Sequence, residues 1–176
     1  MTKKVFLFLA TLFCSIGMFA QNVGDSGNGL KRGFRGIAEL GYEVAINDNG
    51  DNSPILNLSG GYQLNSYVFL GAGIGLRHYN DNDKTSVPIF FNFRSDFVNT
   101  KVNPFVDVKL GLSPSYSRGF GSVGMGCRFK VGEKLGLSVS AGFEVQDLEN
   151  KEDHSEDCGI YLDYMGGAFI KMGVDF

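Results

Sequence analysis

Two histidines are the residues of this sequence best suited to general acid–base chemistry, because imidazole titrates close to neutral pH. His78 lies near Asn80 and Asp81, and His154 is followed by Ser155. A hydrolase that uses serine, histidine and a carboxylate needs all three groups within hydrogen-bonding reach. No specific motif surrounds either histidine. The sequence therefore favours solvated histidines near exposed loops and predicts no catalytic residue.

Two short segments are rich in the oxygen ligands that calcium and magnesium prefer, namely Asn47–Asn52 and Asn80–Asp83. The first departs from the EF-hand pattern, which requires a glycine at the sixth position and a later glutamate. Asn, Asp and Gly also collect at loop tips because they suit tight turns. We therefore expect neither a metal ion nor a cofactor.

The segment Glu149–Asp157 is strongly acidic. Such runs are usually solvated and have no further role. Exposed loops are also where recognition residues concentrate, so an extracellular partner of the acidic loops stays open as an interpretation.

A larger set of charged residues occupies alternate positions within otherwise apolar segments, which is the spacing of residues that share one face of a strand. The set consists of Arg35, Glu39, Glu43, Arg77, Arg94, Asp96, Asp107, Lys109, Arg128, Lys130, Glu144, Lys171 and Asp175. The positive and negative charges of this set nearly balance. Buried charges need partners of the opposite sign and hydrogen bonds, so the pattern predicts an ion-pair network on one face.

The elements that carry these residues are alternating segments, about eight in number, each as long as a tilted membrane-spanning strand. They are residues 34–46, 55–64, 67–79, 87–97, 105–116, 121–131, 135–148 and 160–176. The polar connections 47–54, 80–86, 117–120 and 149–159 alternate with the mostly shorter turns 65–66, 98–104 and 132–134. Short turns at one end and longer loops at the other are typical of an all-β, up-and-down antiparallel transmembrane β-barrel.

The apolar face is predicted to point outward into lipid. It carries no charged residue, as lipid demands, because a charge at the bilayer midplane costs about 2–4 kcal/mol. Large Leu, Ile and Phe side chains from every strand would overfill the lumen of a small barrel. The charged face then lines the lumen, where the interleaved glycines leave room for Arg and Lys stems. A side-chain plug and a polar transport path are both compatible with this face, and the small barrel size favours the plug.

The two ends of the chain give the expected domain organisation. Residues 1–20 have the basic, apolar and small-residue regions of a signal peptide, residues 21–32 form a polar, flexible periplasmic leader, and residues 33–176 form the barrel. The whole chain has 16 basic and 19 acidic residues, and removing Lys3 and Lys4 increases the acidic excess, which argues against nucleic acid as a partner. We expect Cys127 and Cys158 to lie at opposite ends of the barrel, too far apart for a disulfide.

The last strand alternates apolar residues with small or charged ones, with Phe169 as the exception in the second set, and ends on Phe176. This ending resembles the assembly signal of bacterial outer-membrane β-barrels. Residues 33–176 as a whole resemble the small outer-membrane β-barrel family that includes the OmpX type and the membrane domain of the OmpA type. The resemblance implies a cell outer membrane location and contact with outer-membrane lipid and lipopolysaccharide. It also implies recognition of the C-terminal strand, through Phe176, by the barrel-assembly machinery, and a monomeric state.

The sequence thus predicts a non-enzymatic integral outer-membrane barrel with a plugged polar lumen and a structural or surface-interaction role through its extracellular loops. Three alternatives remain open, in this order. They are a narrow porin for small solutes, a lipid-modifying outer-membrane enzyme that uses His78 or His154, and a soluble barrel that carries an apolar ligand.

Overall fold

The computed structural model of the protein describes residues 30–46, 52–79, 84–98, 100–114, 117–132, 135–148 and 164–176. Nine strands run through these residues: β1 (Gly33–Ala45), β2 (Ser53–Gln63), β3 (Val68–Tyr79), β4 (Lys84–Ser86), β5 (Ile89–Asp96), β6 (Val102–Ser113), β7 (Ser117–Lys130), β8 (Gly136–Leu148) and β9 (Tyr164–Asp175). No helix within these ranges is long and apolar enough to cross a membrane.

All strand pairs are antiparallel, and the sheet closes on itself. The order is β2-β1-β9-β8-β7-β6-β5-β3-β4, and β2 also pairs with β3. Since β4 and β5 follow each other along the same edge of β3, they share one strand position. The chain therefore forms a closed eight-stranded up-and-down β-barrel, which confirms the predicted fold class.

Two prolines explain why some strand boundaries differ from those predicted. Pro88 separates β4 from β5 because it has no N–H to donate to the ladder, although its carbonyl still accepts from the Gly75 N–H at 2.8 Å. Pro104 was expected in a turn at 98–104, which is wrong, because β6 begins at Val102. The Pro104 carbonyl accepts from the Phe97 N–H at 2.9 Å, at the end of the β5–β6 ladder, where a missing donor is tolerated.

The prediction of a connection at 117–120 is also wrong, because β7 begins at Ser117. The register of β7 shifts between Ser117 and Phe120, and that of β6 shifts between Gly111 and Ser113. Such irregularities place an extra residue in one strand and break the strict alternation. The alternation of apolar and polar residues is therefore lost at these irregularities, although the strands continue through them.

Alternation along the strands gives the barrel two different walls. The outer wall is apolar, with Leu40, Phe91, Met125 and Met172 exposed by 65%, 77%, 70% and 67%. Every outward strand side chain that the structure describes is uncharged, and the charged strand residues whose burial it describes are buried inside the barrel, apart from the half-exposed Lys130 at its mouth. The apolar face thus points outward, as the sequence predicted, with the reverse polarity of a barrel that dissolves in water.

The two ends of the barrel differ. The short-turn end has the connections at 64–67, 97–101 and 131–135 and the terminal residues next to Gly33 and Asp175. In its first turn, the Asn65 side chain accepts from the backbone N–H groups of Tyr67 and Val68 at 2.8 and 2.9 Å. The long-loop end has the connections 46–52, 80–83, 114–116 and 149–163, most of which lie outside the described residues.

Candidate functional site: the charged lumen

The lumen of the barrel is built in three layers, and β1 shows why. Arg35, Glu39 and Glu43 are each four residues apart, so they lie on the inner face of β1 at successive heights. Each joins side chains from other strands. Among the residues whose burial the structure describes, twelve charged ones are buried, six cations and six anions, divided equally among the layers: Arg35, Arg128, Asp96 and Asp175; Arg94, Lys109, Glu39 and Asp107; Arg77, Lys171, Glu43 and Glu144.

The short-turn layer is centred on Asp175. Its Oδ2 accepts from Arg35 Nη2 at 2.7 Å and from Arg128 Nε. Arg35 Nη1 reaches Asp96 Oδ2 at 3.3 Å and donates to the Gln63 amide oxygen at 2.8 Å. Residues from β1, β2, β5, β7 and β9 therefore meet across the lumen near the short-turn end.

The middle layer forms a closed ring of ion pairs. Arg94 donates through Nη2 to Glu39 Oε1 at 2.7 Å and through Nε to Asp107 Oδ2 at 3.0 Å. Lys109 Nζ lies 3.0 Å from Glu39 Oε2 and also contacts Asp107. Arg94 Nη1 lies 3.6 Å from Asp175 Oδ1, which links this layer to the short-turn layer.

The long-loop layer is paired less completely. Glu144 binds Arg77 and accepts from Lys171 Nζ at 3.3 Å. Glu43 accepts from the Ser53 hydroxyl at 3.4 Å and forms no ion pair within 4 Å among the described residues. The two terminal nitrogens of Arg77 have no hydrogen-bond partner within the described part of the chain.

Five phenylalanine rings also lie inside the barrel, each within reach of one lumen cation. The distances to the ring centroids are 5.6 Å for Arg35 and Phe69, 4.7 Å for Arg77 and Phe120, 4.1 Å for Arg94 and Phe105, 6.0 Å for Lys109 and Phe90, and 3.5 Å for Lys171 and Phe169. A cation near an aromatic face is attracted by the ring quadrupole. The rings thus fill the lumen and also stabilise its positive charges.

Lumen glycines leave the space that these rings and guanidinium groups occupy. A Cβ atom on Gly126 would lie 2.8 Å from the Phe105 ring, and one on Gly124 would lie 2.8 Å from the Phe169 ring. A Cβ atom on Gly136 would lie about as close to the guanidinium of Arg128. The sequence suggested that glycines make room for Arg and Lys stems. The structure shows that they make room for rings as well.

The residues proposed from the sequence for the lumen network fall into two groups. Twelve of them form the three layers described above. Lys130 faces the mouth at the short-turn end, is half-exposed and has no ion pair with a described residue. Of the five inner phenylalanines among the described residues, the sequence singled out Phe169, as the exception in the small or charged set of the last strand. The other four were missed, because their hydropathy suggests the outer wall although their positions in the alternation place them on the inner face.

Of the other residues singled out in the sequence, His78 and Cys127 lie apart from the lumen. His78 is on the outer face of β3, half-exposed, with Nδ1 3.3 Å from the Thr85 hydroxyl. Cys127 is a free, half-buried thiol on the outer face of β7. His154, Ser155, Cys158 and the clusters at 47–51 and 80–83 lie outside the described residues. No group of three or more His, Cys, Asp or Glu within the described ranges is arranged to hold a metal ion.

Phe176 lies at the seam where β9 meets β1. Its N–H donates to the Gly36 carbonyl at 3.0 Å, and its carbonyl accepts from the Gly36 N–H at 2.7 Å. Its ring covers Gly36 so closely that a Cβ atom there would lie about 2.6 Å from the ring carbons. The terminal aromatic side chain therefore packs on the outer wall directly over the closing strand pair.

Comparison with known proteins identifies the fold but no family. No protein-family model matches the chain, and no curated protein does. Neisserial surface protein A has a similar crystal structure, with a TM-score of 0.59, 16% identity, and coverage of 81% of this chain and 95% of that one. A transmembrane β-barrel designed de novo has a TM-score of 0.52 at 15% identity, covering 84% of this chain and 98% of that one. The shared fold is that of small transmembrane barrels.

Proposed function

We propose that this protein is a non-enzymatic integral protein of the cell outer membrane, whose closed barrel serves as a rigid anchor that presents its longer loops at the cell surface. The observation that carries the proposal is the pairing of an apolar outer wall with a lumen crossed by three electroneutral layers. An apolar wall of this kind is stable in lipid, where it needs no further partner. The similar Neisserial protein is, by its name, a surface protein.

The layers also support a closed lumen. Side chains from opposite strands meet in each layer, and a barrel of about eight strands is just wide enough for such side chains to fill it. A permeating solute would have to separate buried ion pairs, and removing one partner of such a pair costs about 3–5 kcal/mol. The barrel is therefore expected to act through its surfaces and loops, with no flow of solutes through it.

Planar-bilayer recording tests the closed lumen against the narrow porin. The purified protein should insert without discrete conductance steps. A variant that removes one ion pair from every layer, Arg35→Gly/Asp175→Gly/Arg94→Gly/Glu39→Gly/Arg77→Gly/Glu144→Gly, should conduct in steps. As a matched control, the outer-wall variant Leu40→Gly should remain silent. Regular steps from the unaltered protein would instead establish the narrow porin.

A further inference from the structure

The exposed charges that the structure describes are positive. Every acidic side chain whose burial the structure describes is buried in the lumen. Lys31, Arg32 and Lys101 are exposed and Lys130 is half-exposed, and all four lie at the short-turn end. We name these four residues the basic rim. Among the side chains whose burial is described, the exposed charge at the short-turn end is therefore positive.

The chain itself brings two of these residues together. The Lys130 N–H donates to the Lys101 carbonyl at 2.9 Å, so the start of β6 and the end of β7 present their lysines side by side. Lys31 and Arg32 directly precede β1 on another side of the barrel. The basic rim thus consists of two pairs of cations, which lie at different places around the mouth of the barrel.

Exposed apolar side chains lie immediately beside these cations. Phe34 stands two residues after Arg32 and is 56% exposed, and Val102 directly follows Lys101 and is 49% exposed. Aromatic side chains at this end complete an outer belt, with Tyr62, Tyr67, Phe97 and Phe129 exposed by 45%, 49%, 60% and 43%. Aromatic belts mark the level of lipid headgroups, and Lys and Arg side chains next to them extend toward the headgroups.

We infer that the basic rim binds the anionic headgroups of phospholipids in the membrane leaflet at the short-turn end. The inference rests on the proposed function, because it requires the apolar wall to lie in a bilayer. Basic residues at the membrane surface attract anionic lipids, and the attraction is screened by salt. Phe97, Val102 and their neighbours hold the acyl chains, while the lysines and arginine hold the phosphate.

The test measures lipid selectivity in phosphatidylcholine vesicles that contain the reconstituted protein and a trace of spin-labelled lipid. Electron paramagnetic resonance reports the fraction of label held at the protein surface. The protein should hold spin-labelled phosphatidylglycerol about twofold more strongly than labelled phosphatidylcholine, or better. Raising the salt to about 1 M, where the Debye length is about 3 Å, should abolish the preference.

The variant Lys31→Gln/Arg32→Gln/Lys101→Gln/Lys130→Gln should bind both lipids equally. A control variant, Lys84→Gln/Arg118→Gln, changes basic residues of β4 and β7 near the long-loop end and should keep the preference. Two results would overturn this inference alone. One is immobilised lipid without a preference for phosphatidylglycerol, and the other is a preference that the control variant loses as fully as the basic-rim variant. The absence of any immobilised lipid would overturn the proposed function as well, and with it this inference.

Discussion

Arg94 illustrates how single residues hold this barrel together. Its guanidinium donates to Glu39 and Asp107 at 2.7 and 3.0 Å, approaches Asp175 at 3.6 Å, and lies 4.1 Å from the centroid of the Phe105 ring. The side chain is fully buried. A charge that has left water completely needs charges of the opposite sign and hydrogen bonds. Three other strands supply them here, through Glu39 of β1, Asp107 of β6 and Asp175 of β9.

Replacing Arg94 should therefore be costly. Arg94→Met leaves Glu39 and Asp107 buried with too little positive charge, and the free energy of unfolding should fall by about 3–5 kcal/mol. Urea titration of the protein folded into phospholipid vesicles measures this. The control is Lys130→Met, which removes a half-exposed cation without an ion pair to any described residue and should change stability by less than about 0.5 kcal/mol. Equal effects of the two variants would contradict the layered network.

The ring beneath Arg94 allows a second prediction. Phe105→Leu keeps an apolar side chain in the lumen but removes the aromatic face, so stability should fall by about 1–2 kcal/mol. Phe93→Leu makes the same chemical change on the outer wall, where Phe93 is 43% exposed, and should be close to neutral. The same urea titration compares them. If Phe93→Leu costs as much as Phe105→Leu, the cation–ring contacts add nothing to stability.

At the scale of the strands, the hydrophobic alternation predicted the architecture, because lipid and lumen impose opposite demands on neighbouring residues. Leu56 and Leu58 point outward while Asn57 and Ser59 point inward, as their types indicate. The predicted strand boundaries were less accurate where a proline or a register shift interrupts the hydrophobic alternation within one strand position of the barrel, as at Pro88 and Ser117.

The inner phenylalanines are placed by the alternation but not by their hydropathy. Phe169 alternates with Gly167 and Lys171 on the inner face of β9, although an aromatic side chain would suit the outer wall. Lys171 of the same strand lies 3.5 Å from the ring centroid, and the space above Gly124 of β7 receives the ring. The space above Gly124 depends on how β7, β8 and β9 pair, which a single sequence does not display.

The β1–β9 seam yields a prediction about whole strands. A side chain at Gly36 would displace the Phe176 ring, so Gly36→Val should destabilise the barrel by about 1–3 kcal/mol. In a Phe176→Ala background the same substitution should cost much less. Gly60→Val is the matched control, because a Cβ atom there would meet Phe34 at an ordinary 3.5 Å. Urea titration of the four combinations gives the coupling energy, and additive effects would contradict the packing of the ring on Gly36.

At the scale of the whole molecule, the barrel separates its charges from its apolar surface. Among the side chains whose burial is described, the acidic ones lie inside, those of the outer wall are apolar, and the exposed cations lie around the short-turn end. A water-soluble carrier needs the opposite arrangement, with a polar exterior and an apolar ligand cavity. The distribution of charge therefore supports residence in a membrane and a lumen that holds no apolar ligand.

The most direct test of this account is fractionation of the cell envelope, followed by gel electrophoresis of unboiled and boiled samples. We predict that the protein is recovered with the outer membrane, and that the unboiled sample migrates differently because the closed barrel resists the detergent. Recovery in the periplasmic extract, with the same mobility before and after boiling, would contradict the central claim that the apolar wall lies in lipid.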